Sequence, residues 1–190
     1  MDDALENFRP TLWRTCRALA NTRRLQILQY VVQHPGVTVS HVAENQPIAL
    51  PTASVYLRAM NARGLLKADR DGREVYYRAK PDRTLPEAAR ILAAVVKTLE
   101  SRDPDPLGTV YHLATAFTHP RRIHIVRTLR GQALTPRELG SATAIPKSAL
   151  LRHLGKLSDR GFISTSDGRS RHLRQSLPLG KTLLSLACAT

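Results

Sequence analysis

The chain has 190 residues, with 29 Lys and Arg against 15 Asp and Glu and a formal net charge of +14 at pH 7, a balance that points to a polyanionic partner. No run of about 18 apolar residues is present to span a bilayer, and the acidic start MDDALENF has neither the positive end nor the apolar centre of a secretory signal. Two cysteines, Cys16 and Cys188, give no disulfide framework and fit a reducing cytoplasm, and 5% aromatics argue against stacking of single-stranded bases.

In chain order, TLWRTCRALA reads as the first apolar helix. Asn21 caps the next, in which Leu25, Ile27, Leu28 and Val31 recur at three- and four-residue steps, the stripe of an amphipathic helix. Thr38 caps a short third helix, although His41 stands where a reciprocal capping box needs a glutamate. A helix expected from about Pro51 to Ala62 buries Ala53, Leu57 and Met60 and stops at Gly64, which takes a left-handed backbone at little cost. LLKADRDGREVYYRA follows, and Asp-Gly between β-favouring residues is a strong hairpin signal. LPEAARILAAVVKTLES then carries Ile91, Leu92, Val95, Val96 and Leu99 on a face too wide for one small domain to cover. SRDPDPLG reads as a linker, because prolines flank Asp105.

The same phrases then recur. ALANTRRLQILQYV, from Ala18, is answered by AFTHPRRIHIVRTL, from Ala116, 98 positions on. Pro120 falls in a first helical turn. TPRE places Thr135 at an N-cap, Pro136 after it and Glu138 three residues on, a capping box. A helix from about Lys147 to Asp159 buries Leu150, Leu154 and Leu157 and ends at Gly161; FISTSDGRSRHLRQ gives a second hairpin, and TVYHLATAF and LGKTLLSLACAT are further apolar helices. Residues 12–83 carry 12 basic and 5 acidic side chains, residues 107–181 carry 13 and 3, and the remainder sums to −3. The charge therefore belongs to the repeated units, which disfavours a disordered tail or one lipid-lying helix. The expected organisation is a first domain over 1–102, a linker over 103–106 and a second domain over 107–190.

Helix, turn, helix and hairpin is the layout of a winged helix-turn-helix, and these residues resemble the ArsR/SmtB family of bacterial transcriptional repressors. CRALANTRRLQIL and ARGLLKADRDGREVYYRA carry the likeness in the first copy, which looks the closer, and RHLGKLSDRGFI carries it in the second. The resemblance implies a mainly α fold with small β-hairpin wings (α+β), here as two tandem winged helix-turn-helix domains joined through a helical dimer-like interface. It also implies recognition helices in adjacent major grooves and wings over the backbone. The family's usual sensor positions are not matched: VSHVAEN and RELGSAT contain no cysteine, and LPEAARILAAVVKTLES contains no histidine or aspartate. No metal or other cofactor is expected.

On the recognition helices, polar side chains of the unburied face are expected to meet DNA: Thr52, Ser54, Tyr56 and Arg58 in the first copy, and Lys147, Ser148, Arg152, His153 and Lys156 in the second. Arg152 is the best candidate for reading a guanine, because its fork can donate to O6 and N7; a phosphate contact or a solvated arginine is the other reading. Arg73, Arg169 and Arg171 on the hairpins are expected at the backbone or minor groove. Cys16 and Cys188 read as small core hydrophobes, with a thiol switch as the rarer option. Trp13 and Phe8 read as packing residues of the bundle rather than as pocket lining.

Three function classes follow. The first is a sequence-specific regulator of double-stranded DNA, in this family most often a repressor, whose unlike recognition faces suit an asymmetric site; the chain would be a pseudo-symmetric monomer, with a homodimer of four domains as the alternative. The second is a structural or adaptor protein, or a nonspecific architectural binder. An enzyme is disfavoured, since no Gly-rich phosphate loop, nucleophile elbow or paired-carboxylate site is present.

Overall fold

Residues 11–82 and 84–189 are described by a computed structural model of the chain. Among them, four helices, a hairpin and a helix are followed by the same order again. The first set is α1 (Leu12–Leu19), α2 (Thr22–Gln33), α3 (Val39–Asn45), α4 (Leu50–Asn61), β1 (Lys67–Asp71), β2 (Glu74–Arg78) and α5 (Pro86–Leu99). The second is α6 (Pro106–Thr115), α7 (Pro120–Thr128), α8 (Pro136–Thr143), α9 (Lys147–Asp159), β3 (Ile163–Ser166), β4 (Arg169–His172) and α10 (Pro178–Cys188). The class is the expected one, mainly α with small antiparallel hairpins.

Short-range chemistry sets the helix starts. Asn21 accepts from the Arg24 N–H at 2.9 Å, and Thr38 from the His41 N–H at 3.2 Å. Thr135 and Glu138 close the reciprocal box, with the Glu138 N–H donating to Thr135 at 3.2 Å and the Thr135 N–H donating to Glu138 at 2.7 Å. Pro120 opens α7, where a missing N–H costs nothing. α4 starts at Leu50, with Pro51 in its first turn. Asp105, read as linker, instead caps α6 by accepting from the Gly108 N–H at 2.9 Å.

Two arginines 98 positions apart then fix the angle between helices. Arg24 donates from Nε to the Ala18 carbonyl and from Nη2 to the Arg17 carbonyl, both at 2.7 Å. Arg122 does the same to Ala116 at 2.6 Å and Thr115 at 3.2 Å. Each satisfies carbonyls that the end of the preceding helix leaves without intrahelical partners.

The hairpins differ in register. Ser166 pairs with Arg169, so Asp167-Gly168 form the turn, both at positive φ (53° and 68°), as a type I′ turn needs. In the first hairpin Asp71 pairs with Glu74, so the turn is Gly72-Arg73 with Gly72 at φ 58°. Asp-Gly is therefore not the first tip, as the dipeptide alone suggested. The burial of Tyr77 against the core and its bridge to Val37 hold the ladder one step further along. Leu134 makes the corresponding bridge to Ser170.

Buried apolar residues of both sets join in one cluster. α5 packs along α10 and α1 along α6, and α5–α6 and α1–α10 contacts close the group. This covers the wide apolar faces that neither set can bury alone: Ile91, Leu92 and Val95 on α5, and Leu179, Leu183 and Leu186 on α10, are buried. Cys16 is fully buried here, and desolvation drives its thiol far above the ordinary range; Cys188, half-buried on α10, is raised by the same cause. Both are free and sit as core hydrophobes. Phe8 lies outside the described residues.

Candidate nucleic-acid interface

α3–α4 and α8–α9 are the two helix-turn-helix pairs, each followed by a hairpin. Thr38 and Thr135 cap the leading helices, whereas α4 and α9 have Ala49 and Pro146 at the N-cap position, with no side-chain cap. The first N–H groups of the trailing helices are thus left without a side-chain acceptor, the arrangement that suits a phosphate oxygen.

Along α4, Ala53, Leu57 and Met60 are buried; Thr52 and Ser54 are half-buried and Arg58 is exposed, with its Nε donating to the Ser54 carbonyl at 3.3 Å. Tyr56 is half-buried beneath the Arg24 guanidinium, 5.7 Å from its ring centroid, and so sits at the edge of the helix's free face. Along α9, Lys147, Ser148 and Arg152 are exposed and Lys156 is half-buried. Arg73 is exposed at the first turn, and Arg171 on β4. None of Arg58, Arg73, Lys147, Arg152, Lys156 and Arg171 has an acidic partner among the described residues.

Two residues stand elsewhere than the sequence pattern placed them. His153 is 4% exposed, so it does not project from the free face of α9. It continues the stripe Leu150, Leu154, Leu157 at the i+3 step, and a reading based on the leucines alone passes over it. Its ring lies 4.7 Å from that of His119, which caps α7, and its Nε2 has no hydrogen-bond partner. Burial, then the neighbouring His119, Arg122, Arg152 and Arg121, push it down to about 4. Arg169, although exposed, is held within the protein: its Nη1 donates to Ala133 carbonyl at 2.9 Å and to Glu138 at 3.2 Å. The pair ties the wing to the start of α8, and Arg169 must leave or share Glu138 to meet a phosphate.

Val55 and Leu151 were missed. They are 54% and 47% exposed on the free faces of α4 and α9, where an apolar side chain can meet a thymine methyl. The signal was their position off the buried stripes. Trp13, half-buried, also borders an open cavity of about 380 Å³ lined by Arg14, Arg17, Arg24 and Arg63.

Among the described residues no helix is long and apolar enough to cross a membrane, and no three His, Cys, Asp or Glu side chains come together as a metal ion would need.

A family model for the bacterial regulatory proteins of the arsR family matches residues 119–165, which run from the cap of α7 into β3. The quoted phrases read closer in the first set, yet the match falls on the second. Over 82 residues the chain is 39% identical to the HTH-type transcriptional regulator Rv0324 of Mycobacterium tuberculosis, covering 43% of this chain and 34% of that protein. The matched part is therefore about a third of that relative's length. Over 76 residues it is 34% identical to the uncharacterized HTH-type transcriptional regulator YbzH of Bacillus subtilis, covering 33% of this chain and 76% of that protein. No solved structure matches the chain. A relative matched over three quarters of its length, a family model seated on α7–β3 and a helix-turn-helix followed by a hairpin converge: the chain belongs to the arsR family of bacterial regulatory proteins, among the helix-turn-helix transcriptional regulators.

Proposed function

We propose that this chain is a sequence-specific regulator of double-stranded DNA, acting as a repressor in a bacterial cytoplasm and associated with the nucleoid. Its modules, 1–102 and 107–190 joined by 103–106, act as two unlike winged-helix readers of one pseudo-dimeric monomer. The observation that carries this reading is the pairing of like with like: α1 lies along α6 and α5 along α10, as equivalent elements do across a two-fold dimer. A tandem duplication accounts for that pairing and for the matched roles of Arg24 and Arg122.

Thr52, Ser54, Arg58, Lys147, Ser148, Arg152 and Lys156 are the groove contacts in this reading, with Val55 and Leu151 beside them. Arg73, Arg171 and, after exchange from Glu138, Arg169 meet the backbone. His153 is left out because it is buried. Unlike faces read an asymmetric site.

Selection of bound duplexes from a random pool, followed by a salt titration, tests it. Six free cations predict that log K falls with log salt at a slope of about −5, and roughly −0.9 per neutralised phosphate is the rule. A steep slope with no selected sequence would instead make the protein an architectural binder, and no binding at all an adaptor. Light scattering should return the mass of one chain; twice that mass would replace the pseudo-dimer by a homodimer.

A further inference from the structure

We propose that the two recognition helices read opposite base chemistry: α4 selects its half-site through a thymine methyl, with Val55 as the residue that specifies it, and α9 selects its half-site through a guanine, with Arg152. This inference rests on the chain being a regulator of double-stranded DNA and names the base pair that each module prefers. The buried stripes give the alignment. Ala53, Leu57 and Met60 of α4 match Leu150, Leu154 and Leu157 of α9, each pair 97 positions apart, and all of them are buried. The same register sets Leu50 against Lys147, Pro51 against Ser148, Val55 against Arg152 and Ala59 against Lys156. Each lysine and arginine of α9 thus meets an apolar residue at the matching place on α4. The exchange is not hidden in the core, since Leu50 is 51% and Val55 54% exposed, and Lys147 and Arg152 are exposed as well.

Val55 stands two residues from both Ala53 and Leu57, and about 3.6 residues per turn puts it opposite the stripe, at the centre of the face turned from the core. Arg152 holds that place on α9. A valine side chain offers neither donor nor acceptor. The apolar group that a base pair presents in the major groove is the C5-methyl of thymine, whereas the fork of Arg152 matches the O6 and N7 acceptors of guanine. Both residues lie in the leading part of their helix, the part that reaches base edges. Arg58 comes three residues after Val55, with its Nε donating to the Ser54 carbonyl, so the first two turns of α4 carry no lysine or arginine. Leu151 neighbours Arg152 but matches the half-buried Ser54, away from the middle of the face.

The test uses the full chain and the duplex it selects from a random pool. Thymines of that duplex are replaced singly by deoxyuridine, which removes only the C5-methyl, and guanines singly by 7-deazaguanine, which removes the N7 acceptor. Affinity is read by fluorescence anisotropy at fixed salt. At least one deoxyuridine should weaken binding of the parent about fourfold, the worth of one buried methyl, and have no such effect on Val55→Ala. At least one 7-deazaguanine, in the other half of the site, should weaken the parent at least about fivefold and leave Arg152→Ala unaffected. Selection repeated with Val55→Arg should return guanine in place of that thymine. Both side chains are exposed, so these variants keep the fold. A selected site indifferent to every deoxyuridine, or as sensitive in Val55→Ala as in the parent, overturns the inference and leaves DNA binding standing; the apolar start of α4 then belongs to a protein contact. Thymine and guanine effects confined to one half of the site overturn it too. A pool that yields no preferred sequence overturns the sequence-specific reading and this inference with it.

Discussion

His153 offers a direct test of how α9 is seated. Its ring is 4% exposed, its Nε2 has no partner, and it faces His119 with Arg121, Arg122 and Arg152 nearby. Folding therefore favours the neutral ring, with the folded value pushed to about 4 against roughly 6.5 in the unfolded chain. Between those values the unfolded state binds the extra proton, so stability is full above about pH 6.5 and falls as the pH drops towards 4. At 1.36 kcal/mol per pH unit, the loss reaches about 2 kcal/mol by pH 5 and about 3 kcal/mol at pH 4. His153→Leu extends the leucine stripe and removes both the titration and the unpaired nitrogen. Urea unfolding at pH 7.5 and pH 5, a range in which most carboxylates stay ionised, should show a drop about 2 kcal/mol larger in the parent than in the variant. At pH 7.5 the variant should be as stable or more so. An equal drop in both proteins, or a His153 ring that titrates near 6.5 by NMR, would refute the burial argument.

Arg152→Ala should relax preference at a single base pair, worth about 1–3 kcal/mol, whereas Arg73→Ala should weaken all duplexes about equally and make the salt slope shallower by about one; competition binding with point-changed duplexes separates the two. Gly64 and Gly161 both hold positive φ, but a Cβ on Gly64 would lie 2.9 Å from the Ala88 Cβ, while one on Gly161 meets nothing within 4 Å. Gly161→Ala should cost about 1 kcal/mol and Gly64→Ala at least about 1 kcal/mol more, read as shifts in denaturant midpoint. Leu183→Ala, in the fully buried seam of α10 against α5, should cost about 2–5 kcal/mol and unfold both halves in one transition; two separated transitions would show that the halves are not coupled through that seam.

What the sequence made legible is the part governed by neighbours in the chain. Asn21, Thr38 and the Thr135–Glu138 box act within three residues of themselves, and the stripes of α2, α4 and α9 follow from helical spacing alone. The illegible part needs distant partners. Arg169 is claimed by Glu138, 31 residues away, and the first hairpin's register is decided by Tyr77 meeting the core and Val37. The cavity beside Trp13 exists because the end of α4 returns to α1. No local pattern announces that meeting, since each arginine alone looks like an ordinary solvated charge. His153 is the intermediate case: its i+3 place was visible, but its polarity concealed the burial.

The positions that differ between the halves have a common character. In the seam, apolar side chains face apolar ones on both sides, and Arg24 and Arg122 keep the same bonds. Away from it the aligned residues part: exposed Val55 stands against exposed Arg152, Arg73 at a turn tip against Arg169 on a strand, and Arg17 against Thr115. A homodimer cannot make such exchanges, because one codon sets both copies. Two modules in one polypeptide remove that constraint. One half can keep Arg160 satisfied by Thr115 and His112, while the aligned Arg63 of the other stands near Arg14 and Arg17. On the pseudo-dimer reading, the retained seam keeps the two readers in fixed relation, so the two recognition faces can diverge without disturbing the contact that joins them.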